Sequence, residues 1–204
     1  MTRQAFYDAV TPGLFRGSLP PSQKDPLDRL IDEGLARERT LYEAAYVLAT
    51  AYHETDRFRA MEEYGRGEGR PYGQDVLLYS GRSVRFHGRG FVHLTWLGNY
   101  VWASAATGVD LVSSPDRAKE PAISAKIIWE GMIQGAFTGK GLADYRTGDG
   151  KLDYVQARRV VNGTDKADLV AGYAEQFEAG LMLIEDAPIV SGCPLGRADC
   201  PRAA

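Results

Sequence analysis

Two glutamates, Glu54 and Glu63, stand nine residues apart in "ATAYHETDRFRAMEEYGRG", a stretch otherwise dense in aromatics and arginines. Two such carboxyl groups can divide proton transfer between them, one giving and the other taking, if both reach a single substrate. On one continuous helix they could not do so. Nine steps at ~100° and ~1.5 Å per residue leave them on opposite faces, roughly 13.5 Å apart. Cooperation therefore requires the helix carrying Glu54 to end soon after it, so that the chain can turn and bring Glu63 back across a cleft. In the last helical turn Glu54 also meets the negative end of the helix dipole, which favours the protonated acid.

The surrounding sequence supplies such a helix. In "TLYEAAYVLATAYHET", Thr40 and Glu43 have the spacing of a capping box, and Leu41, Ala44, Ala45, Leu48, Ala51 and Tyr52 form one apolar face. An end is expected near Thr55 to Phe58. Upstream, a helical stretch covers Gln4 to Val10, and Ser22 is placed to cap a helix with Leu27, Leu30, Ile31 and Leu35 at helical spacing. Downstream, the Gly- and Arg-rich segment after Glu63 reads as loops with a short hairpin. "GFVHLT" alternates as a short strand, with Phe91, His93 and Thr95 on one face and Val92 and Leu94 on the other. Helical patterns then return in "WLGNYVWASAAT", in the segment that opens at Ser114 and Pro115 with a break or restart at Pro121, and in the short "LDYVQARRVV". The last is "ADLVAGYAEQFEAGLMLIED", where Leu169, Val170, Tyr173, Phe177, Leu181 and Ile184 share a face. The fold class is mainly α with a small β element.

Neither repeats nor a Ser/Gly/Pro linker divides the 204 residues, so residues 1–204 read as a single catalytic domain with a peripheral tail over 187–204. A net charge of -3 gives no long-range attraction for nucleic acid or an anionic membrane. The N-terminal residues lack the apolar core of a signal peptide, and no segment is long enough to span a bilayer, which makes synthesis in a cytoplasm the default. Cys193 and Cys200 could close a small disulfide loop or remain two ordinary thiols.

Taken together and in order, "AYHET", "EEYGRG", "GRGFVHLTWLGNY", "GAFTGKGL" and "ARRVVNGTD" resemble glycoside hydrolase family 19, and its phage endolysin branch more than the plant chitinases, from Leu14 to Leu183. The resemblance implies a lysozyme-like bilobal α-helical domain with a carbohydrate groove between the lobes and the β element beside it. It also implies an inverting two-carboxylate mechanism with no metal and no other cofactor. Such a mechanism sets an acid and a base ~6.5–9.5 Å apart, with room for the attacking water between them.

Carried over residue by residue, the resemblance makes Glu54 the general acid and Glu63, the Glu before Tyr-Gly, the general base. Thr95 helps hold the water. Asn99 contacts sugar or orders the base, and Asn162 lines the groove. Arg158 or Arg159 orients a carboxylate. His93 stands where the family usually has Gln. His53 shapes the site, and Tyr64 is a sugar-stacking platform. The neighbours of the two glutamates suggest a division of labour: Tyr52 and Phe58 beside Glu54 favour a proton on it, and Arg57, Arg59 and Arg66 around Glu63 favour its anion.

The implied substrate is peptidoglycan, with chitin second, cut by a monomer. As an endolysin the protein would accumulate in the host cytoplasm and act at the periplasmic wall after a holin permeabilises the membrane, without inserting into it. Two other classes fit less well. His53, His87 and His93 resemble a zinc amidase set, but Arg57 occupies the place of the second His in His-Glu-x-x-His. "HGRGFVHL" resembles an RNA-binding strand, but the chain offers too few strands and is acidic. A wall-binding protein without catalysis is the remaining alternative.

Overall fold

The computed structural model describes residues 3–184; the two cysteines and the tail assigned as peripheral lie outside them. The described residues form six α-helices and one two-stranded sheet.

Helix α3 (Leu41–Glu54) is the axis of the fold. Thr40 Oγ1 accepts from the Glu43 N–H and the Glu43 carboxylate accepts from the Thr40 N–H, both at 3.2 Å, so the capping box forms as its sequence indicates. Every residue from Leu41 to Tyr52 is buried, not one face alone. The alanines explain this. Ala44, Ala45, Ala49 and Ala51 present so little bulk that neighbours close on all sides of the helix.

Helix α6 (Ala167–Leu181) packs along α3, and α1 (Gln4–Leu14) covers α6. Helices α2 (Pro21–Ala36) and α5 (Pro121–Gln134) pair with each other and touch α3. At their crossing Gly34 admits the indole of Trp129, whose Nε1 donates to the Leu30 carbonyl at 3.0 Å. Helix α4 (Leu97–Thr107) leans on α5 and stops at Gly108 in the left-handed region.

Three expectations are corrected. Helix α2 starts at Pro21, so Ser22 lies inside its first turn; proline's fixed φ at the first helical position sets the start instead of a serine cap. On α6, Leu169 is 46% exposed, while the buried residues Val170, Ala174, Phe177 and Leu181 belong to the side packed against α3 and α1, with Phe177 between Tyr52 and Phe6. Residues 91–95 are not a strand. Gly90 and His93 both take positive φ (75° and 45°), the His93 N–H turns back to the Gly90 carbonyl, and only the Arg89 and Leu94 backbones bridge. Alternation in sequence cannot make a strand where no partner strand runs alongside. The Phe91 N–H goes instead to the Ser124 hydroxyl at 2.6 Å.

The short hairpin expected in the Gly- and Arg-rich segment forms as β1 (Asp75–Leu77) against β2 (Ser83–Arg85), antiparallel with Val76 opposite Val84. The break at Pro121 is a restart after a 3-10 turn over Pro115–Lys119. No helix among the described residues is long and apolar enough to cross a membrane.

Replacing Thr40 with Ala removes one half of the capping box at the start of the central helix. Urea unfolding should show a loss of about 1 kcal/mol with an unchanged slope; an unchanged midpoint would contradict this account of the cap.

Candidate active site

Helix α3 ends at Glu54, its last residue, and the chain then reverses abruptly. Asp56, Arg57 and Phe58 take successive positive φ values of 45°, 62° and 64°, a left-handed turn anchored by the Arg57 N–H on the Tyr52 carbonyl (2.7 Å) and the Phe58 N–H on Thr55 Oγ1 (3.0 Å). Phe58 is buried against Phe15, Tyr52 and Phe91, and that burial opposes the backbone strain of the turn.

Glu54 is held from the far end of the chain. Arg158, 1% exposed and carried on the 3-10 turn Gln156–Val160, donates from Nη1 to Glu54 Oε1 at 2.8 Å and from Nε to the Asp165 carbonyl at 2.8 Å. A buried guanidinium needs such partners. The surroundings expected for Glu54 are corrected: its partner is the Arg158 cation, Phe58 packs instead on Phe15, Tyr52 and Phe91, and among the described residues only Oε1 of its two oxygens is engaged. His53 beside it lies 6.4 Å from the Tyr173 ring; burial pushes its pKa down against the opposing pull of Glu54. Asn162 is exposed, with its backbone N–H on the Arg158 carbonyl, and Arg159 turns away to Gln156.

Glu63 is held differently. Residues 61–63 run antiparallel to 88–90: the Glu63 N–H donates to the Gly88 carbonyl (2.9 Å), and the Gly90 N–H to the Met61 carbonyl (2.8 Å). The Glu63 carboxylate then accepts the Gly88 N–H on Oε1 (2.6 Å) and the Tyr72 hydroxyl on Oε2 (3.0 Å). A Cβ at 88 would be crowded, standing 3.2 Å from Glu63 Cδ and 3.0 Å from His93 Cβ, so a larger residue there would push on both neighbours. Burial, and then the bond to Glu63, raise the pKa of Tyr72, which keeps its hydroxyl a donor.

The arginines expected around Glu63 are engaged elsewhere. Arg57 donates to the Tyr52 hydroxyl, Arg59 faces Asp56, and Arg66 pairs with Glu62. The left-handed turn has carried the first two away, and Glu62, the next residue along an extended segment, points to the opposite side from Glu63.

Close to Glu63, His93 reaches back to the Ala60 carbonyl with Nε2 at 3.0 Å, so that nitrogen carries the proton. Thr95 follows, its hydroxyl bonded to no group among the described residues. The chain is fixed there by the Trp96 N–H on the Phe86 carbonyl. Asn99 sits in the first turn of α4. Trp96 is 50% exposed with its ring 5.6 Å from Tyr72, and Tyr64 is 80% exposed.

The expected residues therefore fall into two groups: Glu54, His53, Arg158 and Asn162 around the end of α3, and Glu63, Tyr64, His93, Thr95 and Asn99 around the 61–63 and 88–99 segments. Sequence reasoning missed the Gly88 N–H and the role of Tyr72 as a donor. A tyrosine nine residues beyond Glu63 carries no local signal for that contact. The three histidines serve separate partners, with His87 on Glu62 at 2.8 Å, and among the described residues no three His, Cys, Asp or Glu side chains gather as metal ligands.

With this geometry established, comparison with solved structures shows the fold. The chain is similar to a bacterial family 19 chitinase, with a TM-score of 0.65 at 20% identity over 88% of this chain and 93% of that one. It is also similar to a chitinase C variant, with a TM-score of 0.46 at 16% identity over 86% and 92%. No family model matches the chain, and no curated protein does. The mainly α, lysozyme-like architecture with a small β element is thus one that a family 19 chitinase also adopts.

Burial lowers the pKa of both His53 and His87. A histidine depressed in the folded state binds its proton more readily when unfolded. The stability it contributes is complete above its ordinary value of about 6.5 and is lost as pH falls through that value towards the folded one. Melting temperature should therefore drop between about pH 7.5 and 5.5, before the carboxylates titrate, and His53→Gln combined with His87→Gln should flatten the drop. An equal drop in the double variant would contradict it.

Proposed function

We propose that the protein is a glycosidase that cleaves β-1,4 bonds between N-acetylated amino sugars with inversion, Glu54 acting as general acid and Glu63 as general base. The observation that carries this reading is the unequal engagement of the two carboxylates. Glu54 is fixed through Oε1 by Arg158, which leaves Oε2 to carry a proton to the leaving oxygen. Both oxygens of Glu63 accept from donors, Gly88 N–H and Tyr72 O–H, an arrangement that suits the carboxylate, and each oxygen keeps a second lone pair to take a proton from water. Thr95, with its hydroxyl uncommitted among the described residues, is the group to hold that water. Asn99, Asn162, Tyr64 and His53 are the sugar contacts, with Trp96 as a further stacking surface. His93, tied to Ala60, supports the loop under the base.

The sharing of a fold with a bacterial family 19 chitinase supports the reaction class. Peptidoglycan is the polymer we favour, on the motifs shared with phage endolysins. Chitin is the second reading, favoured by the chitinase neighbour. As an endolysin, the protein would reach the wall from the host cytoplasm once a holin has opened the membrane.

Purified peptidoglycan and chitin should be digested in parallel and the new reducing-end sugars identified by mass spectrometry. Glu54→Gln and Glu63→Gln should each lose about 10²–10⁴-fold in rate while remaining folded, Tyr72→Phe less. Full activity in both glutamine variants would overturn the assignment, and amide-cleaved products would reject the glycosidase class.

A further inference from the structure

The extended segment that carries Glu63 presents Glu62 on its other side, towards residues that line a cavity of about 520 Å³; neither Glu54 nor Glu63 lines it. Four arginines line it, Arg66, Arg82, Arg85 and Arg89, against two aspartates. The aspartates are already committed: Asp75 to Arg85 at 2.7 Å, and Asp116 to Arg89 at 3.0 Å and to Lys119 at 3.1 Å. Arg66 has only a 3.4 Å contact with Glu62, which His87 and Lys119 also share. Arg82, at the hairpin end, makes no ion pair or side-chain hydrogen bond among the described residues. His87 also lines the cavity; it is 4% exposed, Nε2 is spent on Glu62, and Nδ1 is buried without a hydrogen-bond partner among the described residues. Excess guanidinium over carboxylate in a concave site is the composition of an oxyanion-recognising pocket.

Its walls are well supported. Arg89, 5% exposed, is fixed by three further acceptors, the Arg85 and His87 carbonyls and the Tyr100 hydroxyl, so one cation of the pocket is preorganised before any ligand arrives. Tyr100 donates in turn to the His87 carbonyl at 2.8 Å, and burial pushes its pKa up to about 12. Arg82 and Arg66 stand at the exposed side, where long guanidinium arms can close on an incoming group.

We propose that this pocket binds a carboxylate or phosphate group borne by the polymer the enzyme works on, and so favours an anionic glycan over a neutral one. The pocket itself follows from the residues above; assigning its ligand to a cell-wall polymer rests on the glycosidase reading. Two sources share the chemistry: carboxylates of the peptide stems on peptidoglycan, and phosphates of anionic polymers attached to the wall. Neutral chitin offers neither.

The test is calorimetric titration of the full chain with inorganic phosphate, with disaccharide-peptide fragments of peptidoglycan, with the same fragments after amidation of their carboxyls, and with a neutral chitin oligomer. Wild type should bind at least one of the first two. Arg82→Ala should weaken that binding about tenfold, and Arg82→Lys should restore part of it. Binding of the untreated fragment, abolished by amidation, assigns the stem carboxylate; binding of phosphate alone assigns the phosphate source. Hydrolysis of the neutral oligomer should be the same in wild type and Arg82→Ala. Equal affinity in wild type and Arg82→Ala, or equal binding of amidated and untreated fragments without phosphate binding, would overturn the proposal. Should wild type cut no glycan at all, the glycosidase reading falls, while the titrations still decide whether the pocket recognises an anion.

Discussion

The short antiparallel pairing of residues 61–63 with 88–90 is the contact on which the rest of the arrangement depends. Its backbone bonds fix the segment, and the Gly88 N–H, freed from any ladder, takes the Glu63 carboxylate at 2.6 Å. Because successive side chains of an extended segment point to opposite sides, the same pairing sends Glu63 towards Tyr72, and Glu62 towards His87 and Lys119. One strand-like pair thereby separates a candidate catalytic carboxylate from the glutamate that pairs with Arg66 and His87 of the cationic pocket. A side chain at Gly88 would press on the Glu63 carboxyl group, so glycine opposite leaves the glutamate its place without crowding.

The other half of the candidate site depends on the burial of α3. A helix packed on every side has little freedom to shift, so Glu54 at its end is placed by the core rather than by a loop. Arg158, from a turn more than a hundred residues later, completes the placement. Removing one member of such a pair leaves the other as an uncompensated buried charge, which makes the pair a constraint on position more than a source of stability. The two glutamates are therefore anchored by unrelated means, one by a helix and a distant guanidinium, the other by backbone donors and a phenol.

What was legible in the sequence followed from local chemistry. The capping box at Thr40 and Glu43, the restart at Pro121 and the end of α3 at Glu54 are each set by a few neighbouring residues and form as read. The alternation in residues 91–95 misled, because strand geometry needs a partner and the glycine at 90 allowed a turn instead. Arginines near Glu63 in sequence suggested its partners, yet three consecutive left-handed residues carried Arg57 and Arg59 away. Tyr72 and Gly88 took their place through contacts that no short window encodes. The apolar stripe of α6 was legible except at Leu169, which is 46% exposed.

The central question is how water reaches the sugar. If Glu63 directs it from the face opposite Glu54, the reaction passes through a single displacement with no covalent intermediate. Real-time proton NMR of the newly released reducing end distinguishes this from the alternative. The α-anomer appearing first, ahead of mutarotation, is the predicted result; the β-anomer appearing first would contradict it.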